Sequence, residues 1–371
     1  MNNNHNIINV SKPYLPPKDE YIKYLNTIWE NNWLTNNGPL HNEFEKKVEK
    51  YLNVQNVCLF TNGHQALEIA IKSLELTGEV ITTPFTFAST IHSITRNGLT
   101  PVFCDIDMDT YNIDVNKIEA IITNETSAII PVHVFGNPCN VVEIDKIAQK
   151  YNLKIIYDTA HAFGVQIRDE GIGNFGDVSM FSLHATKVFH SIEGGILSFK
   201  DASLKNKLNS LKNFGITSEE TIEFNGTNAK MNEFQAAMGL LNLEYIEELV
   251  EDRKKIVCHY RKLLDNIDGI SYLPDIEGIK HNYAYMPIMV NKKTFGKDRD
   301  ALFNRLKDFN IHARRYFYPL CTDFQCYEFD SGNLPIAKFV SDNILVLPLY
   351  NNLGIHEVEY ICNCINEIYN N

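Results

Sequence analysis

Short apolar runs alternate with helical repeats along most of the chain. Residues 56–61, NVCLFT, are apolar on both faces and predict a strand; ALEIAIKSL (66–74) follows with Leu67, Ile71 and Leu74 on one helical face. The alternation continues with a strand at EVITTP, a helix through STIHSITRNG, a strand at PVFCDID and a helix near 114–121. Next come a strand at SAIIPVHVFG, a helix over VVEIDKIAQKY (141–151) and a strand at LKIIYD (153–158). Strands apolar on both faces and separated by helices predict a mostly parallel central sheet covered by helices, an α/β fold.

From about 231 the pattern changes. MNEFQAAMGLLNLEYIEELVEDRKKIVCHYRKLL keeps helical periodicity through Phe234, Met238, Leu241, Tyr245 and Leu249. Beyond it lie a strand at HNYAYMPIMV and helices at DRDALFNRLKDFN and EVEYICNCINEIY. This change predicts a large domain over 1–250 and a smaller C-terminal α/β domain over 251–371.

Charge narrows the partners. The 371 residues carry 34 Lys plus Arg against 46 Asp plus Glu, a net charge of -12, with no concentrated basic block, so nucleic acid is not an expected partner. No stretch approaches the roughly twenty apolar residues of a membrane span, and MNNNHNIINV lacks both parts of a secretory leader. A cytoplasmic protein is expected. The cysteines at 58, 104, 139, 258, 321, 326, 362 and 364 follow neither disulfide nor zinc spacing, which predicts free, mostly buried thiols and no metal site.

Candidate chemistry gathers at strand ends. In LFTNGHQALEIAI the Asn62-Gly63-His64 turn opens a helix whose free N–H groups suit an anion, although a glycine before a helix is also an ordinary turn. Asp158 ends the strand KIIYD, where parallel strands open into a crevice; it reads either as a ligand-facing carboxylate or as the cap of a helix over TAHAFG. His161 would share that crevice or serve as a structural histidine. Lys187, in FSLHATKVFHSIEGG with Ser182 and His184 nearby, reads as a nucleophilic amine or as an exposed strand-end lysine. GIGNFG (171–176) matches a dinucleotide fingerprint in letters only, because it leads into a strand instead of a helix. DIDMDT (105–110) lacks the glycine and distal glutamate of a calcium loop.

In order along the chain, LTNNGPLHNEFEKKVEKYLN, VITTPFTFASTIHSI, PVFCDID, PVHVFGNP, YDTAHAFG, SLHATKVFHSIEGG and GTNAKMNEFQAAMGLLNL resemble the DegT/StrS family of sugar aminotransferases. These enzymes use pyridoxal phosphate (PLP) on the aspartate-aminotransferase, or type I, fold. The resemblance implies that Lys187 holds PLP covalently and shuttles a proton, that Asp158 keeps the ring nitrogen protonated, and that His161 stands beside the 3-hydroxyl. Ala160 leaves room for the ring and Phe87 stacks on its other face. The phosphate would lie on the Asn62-Gly63-His64 turn and Ser182, with Asn228 of GTNAK reaching in from the second subunit of a homodimer. At His64 many members carry Thr or Ala, so backbone contacts are expected there.

The same resemblance implies two half-reactions: L-glutamate converts PLP to the pyridoxamine phosphate form, which then aminates a nucleotide-linked keto sugar. HATKVFHSIEGG is similar to enzymes acting at a 4-keto group; 3-keto enzymes, the alternative, more often show Tyr-Pro before the lysine's neighbours and Gly-Asp-Gly-Gly after it. KPYLPP…LTNNGP and ARRYFYPL (313–320) most resemble the enzymes that make dTDP-4-amino-4,6-dideoxyglucose, which implies dTDP-4-keto-6-deoxyglucose as acceptor. Arg314, Tyr316 and Tyr318 are candidates for sugar or phosphate contacts, and equally for packing at a domain junction. A sugar dehydratase of this scaffold would carry His at 187, and a non-catalytic PLP-binding regulator would carry a DNA-binding module; neither is present.

Overall fold

The computed structural model describes residues 7–329 and 332–370; most of the segment read above for a secretory leader lies outside them. Seven strands form the central sheet: β1 (Val57–Phe60), β2 (Glu79–Thr82), β3 (Thr100–Phe103), β4 (Thr126–Ile130), β5 (Lys154–Asp158), β6 (Val178–Ser182) and β7 (Gly195–Phe199). Their order is β1-β7-β6-β5-β4-β2-β3, parallel from β6 to β3, with β7 antiparallel to both β1 and β6.

Alternation of side chains across the pleat sends the sheet into two cores. Met180 of β6 and Leu197 of β7 pack with the helix Gly63–Ser73, whereas Phe181 and Ile196 pack with the helices Pro39–Leu52 and Glu233–Leu264. Every residue of β1 is buried, which is why its sequence reads as an unbroken apolar run.

Two expectations need correction. The strand expected over SAIIPVHVFG stops at Ile130 and gives way to a 3-10 turn at Val134–Gly136, in which Phe135 takes a φ of 57° so that its N–H meets His161. TAHAFG forms turns instead of a helix, so Asp158 caps nothing there.

A second, antiparallel sheet follows: β8 (Ile270–Ser271), β9 (Met286–Val290) and β10 (Ile344–Leu347), in the order β8-β9-β10. Ile288, Val290 and Leu345 share a core with Leu302, Ile361 and Ile365 of the helices Arg299–Asp308 and Ile355–Asn370. The 32-residue helix Glu233–Leu264 belongs to both units. Its Ala236, Ala237 and Leu240 pack under the central sheet, and its Ile256, Tyr260 and Leu264 enter the second core, so position 250 falls inside a continuous helix.

That helix begins with a capping box. The Asn232 side chain accepts the Gln235 N–H at 2.9 Å and Gln235 accepts the Asn232 N–H at 3.2 Å, while the Gln235 amide also donates to Thr61 and Glu193 carbonyls. Asn232→Ala should lower stability by about 1 kcal/mol, read as a lower midpoint in urea unfolding at unchanged slope.

Candidate active site

The C-terminal ends of β1, β5 and β6 meet at one edge of the central sheet, where an open α/β sheet leaves its crevice. β1 leads through Asn62 into the helix Gly63–Ser73. The Asn62 side chain accepts from the Gln65 N–H at 2.9 Å, so Asn62 caps the helix it opens. The N–H groups of Gly63 and His64 remain directed off the helix start. A Cβ on Gly63 would stand 3.1 Å from the Ser182 Cβ, which sets Ser182 against that helix start. One on Gly195 would lie 2.5 Å from the Asn62 carbonyl oxygen, which explains a glycine at the end of the EGG turn.

Asp158 is 4% exposed. Its Oδ2 accepts the Thr90 hydroxyl at 2.8 Å, its Oδ1 accepts the Ala160 N–H at 3.0 Å, and Thr90 in turn contacts Thr86. Burial raises the carboxyl above its ordinary value, against the opposing pull of Thr90, Ala160 and the Lys187 charge. His161 is also buried; its Nδ1 accepts the Phe135 N–H at 3.2 Å, which leaves Nε2 as the protonated nitrogen. Burial first, then the Lys187 charge, holds this imidazole neutral, well below its ordinary value. Its ring lies parallel to Phe135 and to Phe317, 6.3 and 5.8 Å away.

Lys187 rises from the loop between β6 and β7. A turn closed by the Lys187 N–H on the His184 carbonyl, and by His184 Nδ1 with the Thr186 hydroxyl at 2.7 Å, presents it. Its amine donates to the Tyr285 hydroxyl at 3.2 Å. Lys187, His161 and Ala160 border one cavity with Tyr285, so the structure brings these expected residues together with Asp158.

Other expected residues stand differently. The His64 ring turns to Ser89 and Ser93, at 3.0 and 3.2 Å, and pairs with Glu68, leaving its backbone as the group at the helix start. Phe87 immediately precedes the helix Ala88–Arg96, three residues before Thr90, and is 54% exposed. Asn228 is exposed, bridged through its backbone to Asn213. The Arg314 guanidinium lies 4.7 Å over the Tyr316 ring, which meets Tyr285 edge-on at 6.1 Å. Tyr318 stands apart, its ring between Arg299 and Arg315 at 4.8 Å each. Thr90, Tyr285 and Phe317 were not anticipated; no local pattern marks the first, whose partner Asp158 lies 68 residues away.

Three comparisons bear on this geometry. A family model described as the DegT/DnrJ/EryC1/StrS aminotransferase family matches residues 17–366. The chain is 47% identical over 363 residues, 97% of its length and 98% of the relative's, to a dTDP-4-amino-4,6-dideoxy-D-glucose transaminase of Shigella dysenteriae. Among solved structures it is similar to DesI, crystallised in the presence of its TDP-sugar product, with TM-score 0.95, 32% identity and coverage of 99% of this chain and 94% of that one. It is also similar to the sugar aminotransferase Spr1654 of Streptococcus pneumoniae in its PMP-form, with TM-score 0.90, 25% identity and 98% of each chain covered.

Buried neutral histidines make the folded protein sensitive to acid. Burial pulls His41 and His281 down to about 4 and His133 to about 3 from an ordinary 6.5, and lowers His161 and His190 as well. Below 6.5 the unfolded chain therefore binds more protons than the folded one, and stability present above that pH is lost as pH falls. Melting temperature should drop steadily from pH 7 towards pH 5, and His161→Gln should flatten the slope.

Proposed function

The chain belongs to the DegT/DnrJ/EryC1/StrS aminotransferase family, and from that premise we propose that it transfers an amino group from L-glutamate to the 4-keto carbon of dTDP-4-keto-6-deoxyglucose, using PLP. The full-length likeness to the Shigella dysenteriae transaminase carries the choice of acceptor.

The residues present fit PLP. A helix start with two free N–H groups beside Ser182 suits a phosphate, the buried Asp158 suits a protonated ring nitrogen, and Lys187 offers an amine to an aldehyde. Phe87 offers an open aromatic face to a planar ring, and the small side chain of Ala160 leaves space for that ring beside Asp158. The Nε2 proton of His161 can be donated to an oxygen such as the 3-hydroxyl.

When bound, PLP supplies an electron sink for the carbon that loses or gains a proton. Asp158 holds positive charge at the far end of that sink. The Lys187 amine would move protons in both half-reactions, taking one from glutamate Cα in the first and placing one on the sugar's C4 in the second, with the cofactor as carrier between them. Tyr316 and Arg314, stacked on one another beside Tyr285, are the candidates for contact with the sugar or its phosphates; the Tyr318 position between two guanidiniums favours packing.

A homodimer completes this reading. Phe214, Ile216 and Ile222 are exposed beside the strip that carries Asn228, and Phe87 and Ile192 are exposed near the site. Such an apolar face suits a second copy, which would contribute Asn228 to its neighbour's phosphate site. The two cores, meeting along the helix Glu233–Leu264, support a large PLP-binding domain and a small C-terminal one. Eight free cysteines fit a reducing, cytoplasmic setting.

Incubated with PLP, L-glutamate and the dTDP-4-keto sugar, the protein should yield a 4-amino sugar by NMR, and Lys187→Ala should cut the rate by at least about 100-fold. A visible cofactor band that glutamate bleaches without sugar amination would overturn the acceptor. A 3-amino product would overturn the position.

A further inference from the structure

Lys187 is answered by a residue from the other unit of the fold. Tyr285 lies immediately before β9, on the second sheet, 98 residues from Lys187 in sequence, and its hydroxyl accepts from the Lys187 amine at 3.2 Å. The placement is fixed from both sides. Asn282, 2% exposed, donates to the carbonyls of His161 and Phe163 at 2.9 and 3.0 Å and so pins the segment to the turn after Asp158. On the other side the register Met286↔Leu347 locks it into the second sheet. The Tyr285 ring is further held by His161 at 4.7 Å, Phe135 at 5.5 Å and Tyr316 at 6.1 Å.

We propose that Tyr285 is a positioning residue for Lys187: its hydroxyl accepts from the free amine and fixes it at the mouth of the crevice. A hydrogen bond to an acceptor that is itself held in place restricts the rotamers of a long, flexible side chain. The groups facing the pair are Asp158 and His161 from the central sheet, Tyr316 and Arg314 from the segment after the helix Arg299–Asp308, and the buried Arg253, which reaches the Ala284 carbonyl behind Tyr285. The hydroxyl thereby matters whenever the Lys187 amine is free and must keep its place beside the reacting carbon. This role rests on the aminotransferase reading of Lys187.

Competitive acetylation of the cofactor-free protein across pH, with Lys187 followed by peptide mass spectrometry, tests it without substrate. Tyr285→Phe should release the amine from its acceptor and raise the Lys187 labelling rate about fivefold, the factor that one hydrogen bond is worth. The thermal melt should stay cooperative. If the Phe variant does not fold, Tyr285→Leu serves, with the same rise expected. A labelling profile identical to wild type in a folded variant would overturn the proposal, even with cofactor uptake intact. Failure of the wild type to develop a visible band with PLP would instead overturn the function on which it rests.

Discussion

A carboxylate buried at the end of a parallel strand is the constraint around which this site is built. Asp158 is 4% exposed, and an ionised group so placed is costly unless donors or positive charge answer it. Here the answers come from three separate pieces of chain: the hydroxyl of Thr90 on a helix, the N–H of Ala160 in the following turn, and the charge of Lys187 on the loop before β7. Each answer fixes a neighbour. Thr90 sets the helix that begins after Phe87, the Ala160 turn delivers His161 to the Phe135 N–H, and the Lys187 loop must close back through Gly194 and Gly195 onto β1.

Much of this was legible because the central sheet is buried on both faces. Runs such as NVCLF and KIIYD announce themselves without periodicity, and residues that follow them fall at the crevice by topology alone. That is how Asp158, Gly63, Ser182 and Lys187 could be found. The strand expected through His133 stops at Ile130 because the next residue, Pro131, has no N–H to offer the ladder, a local signal; only the later bend at Phe135, whose N–H meets His161, depends on tertiary contact.

Thr90 and Tyr285 were illegible for a related reason. Their contacts to Asp158 and Lys187 span 68 and 98 residues, and each sits in a segment whose local pattern is satisfied without them. A threonine in STIHSI reads as a helix residue of no distinction, and a tyrosine before an apolar strand reads as packing. Only the meeting of the two sheets gives the phenol a partner. The Arg314 and Tyr316 stack belongs to the same junction, since the Arg314 backbone pairs with Val346 of β10.

This junction also explains why a neutral histidine can sit beside a lysine. His161 is buried and Lys187 half-buried, and the lysine's charge disfavours a second one on the imidazole. The Phe135 N–H removes the choice by occupying Nδ1, because an imidazole that accepts at one nitrogen is neutral and keeps its proton on the other. Phe135, Phe317 and His161 lie parallel with centroids 5.8–6.3 Å apart in a triangle, and this packing limits rotation of the imidazole. The imidazole thereby adds no charge of its own, and the Lys187 amine is left to answer the Asp158 carboxylate and to donate to the Tyr285 hydroxyl. The central sheet supplies the carboxylate and the amine, the second sheet supplies the phenol that holds the amine, and the long shared helix keeps the two at a fixed separation.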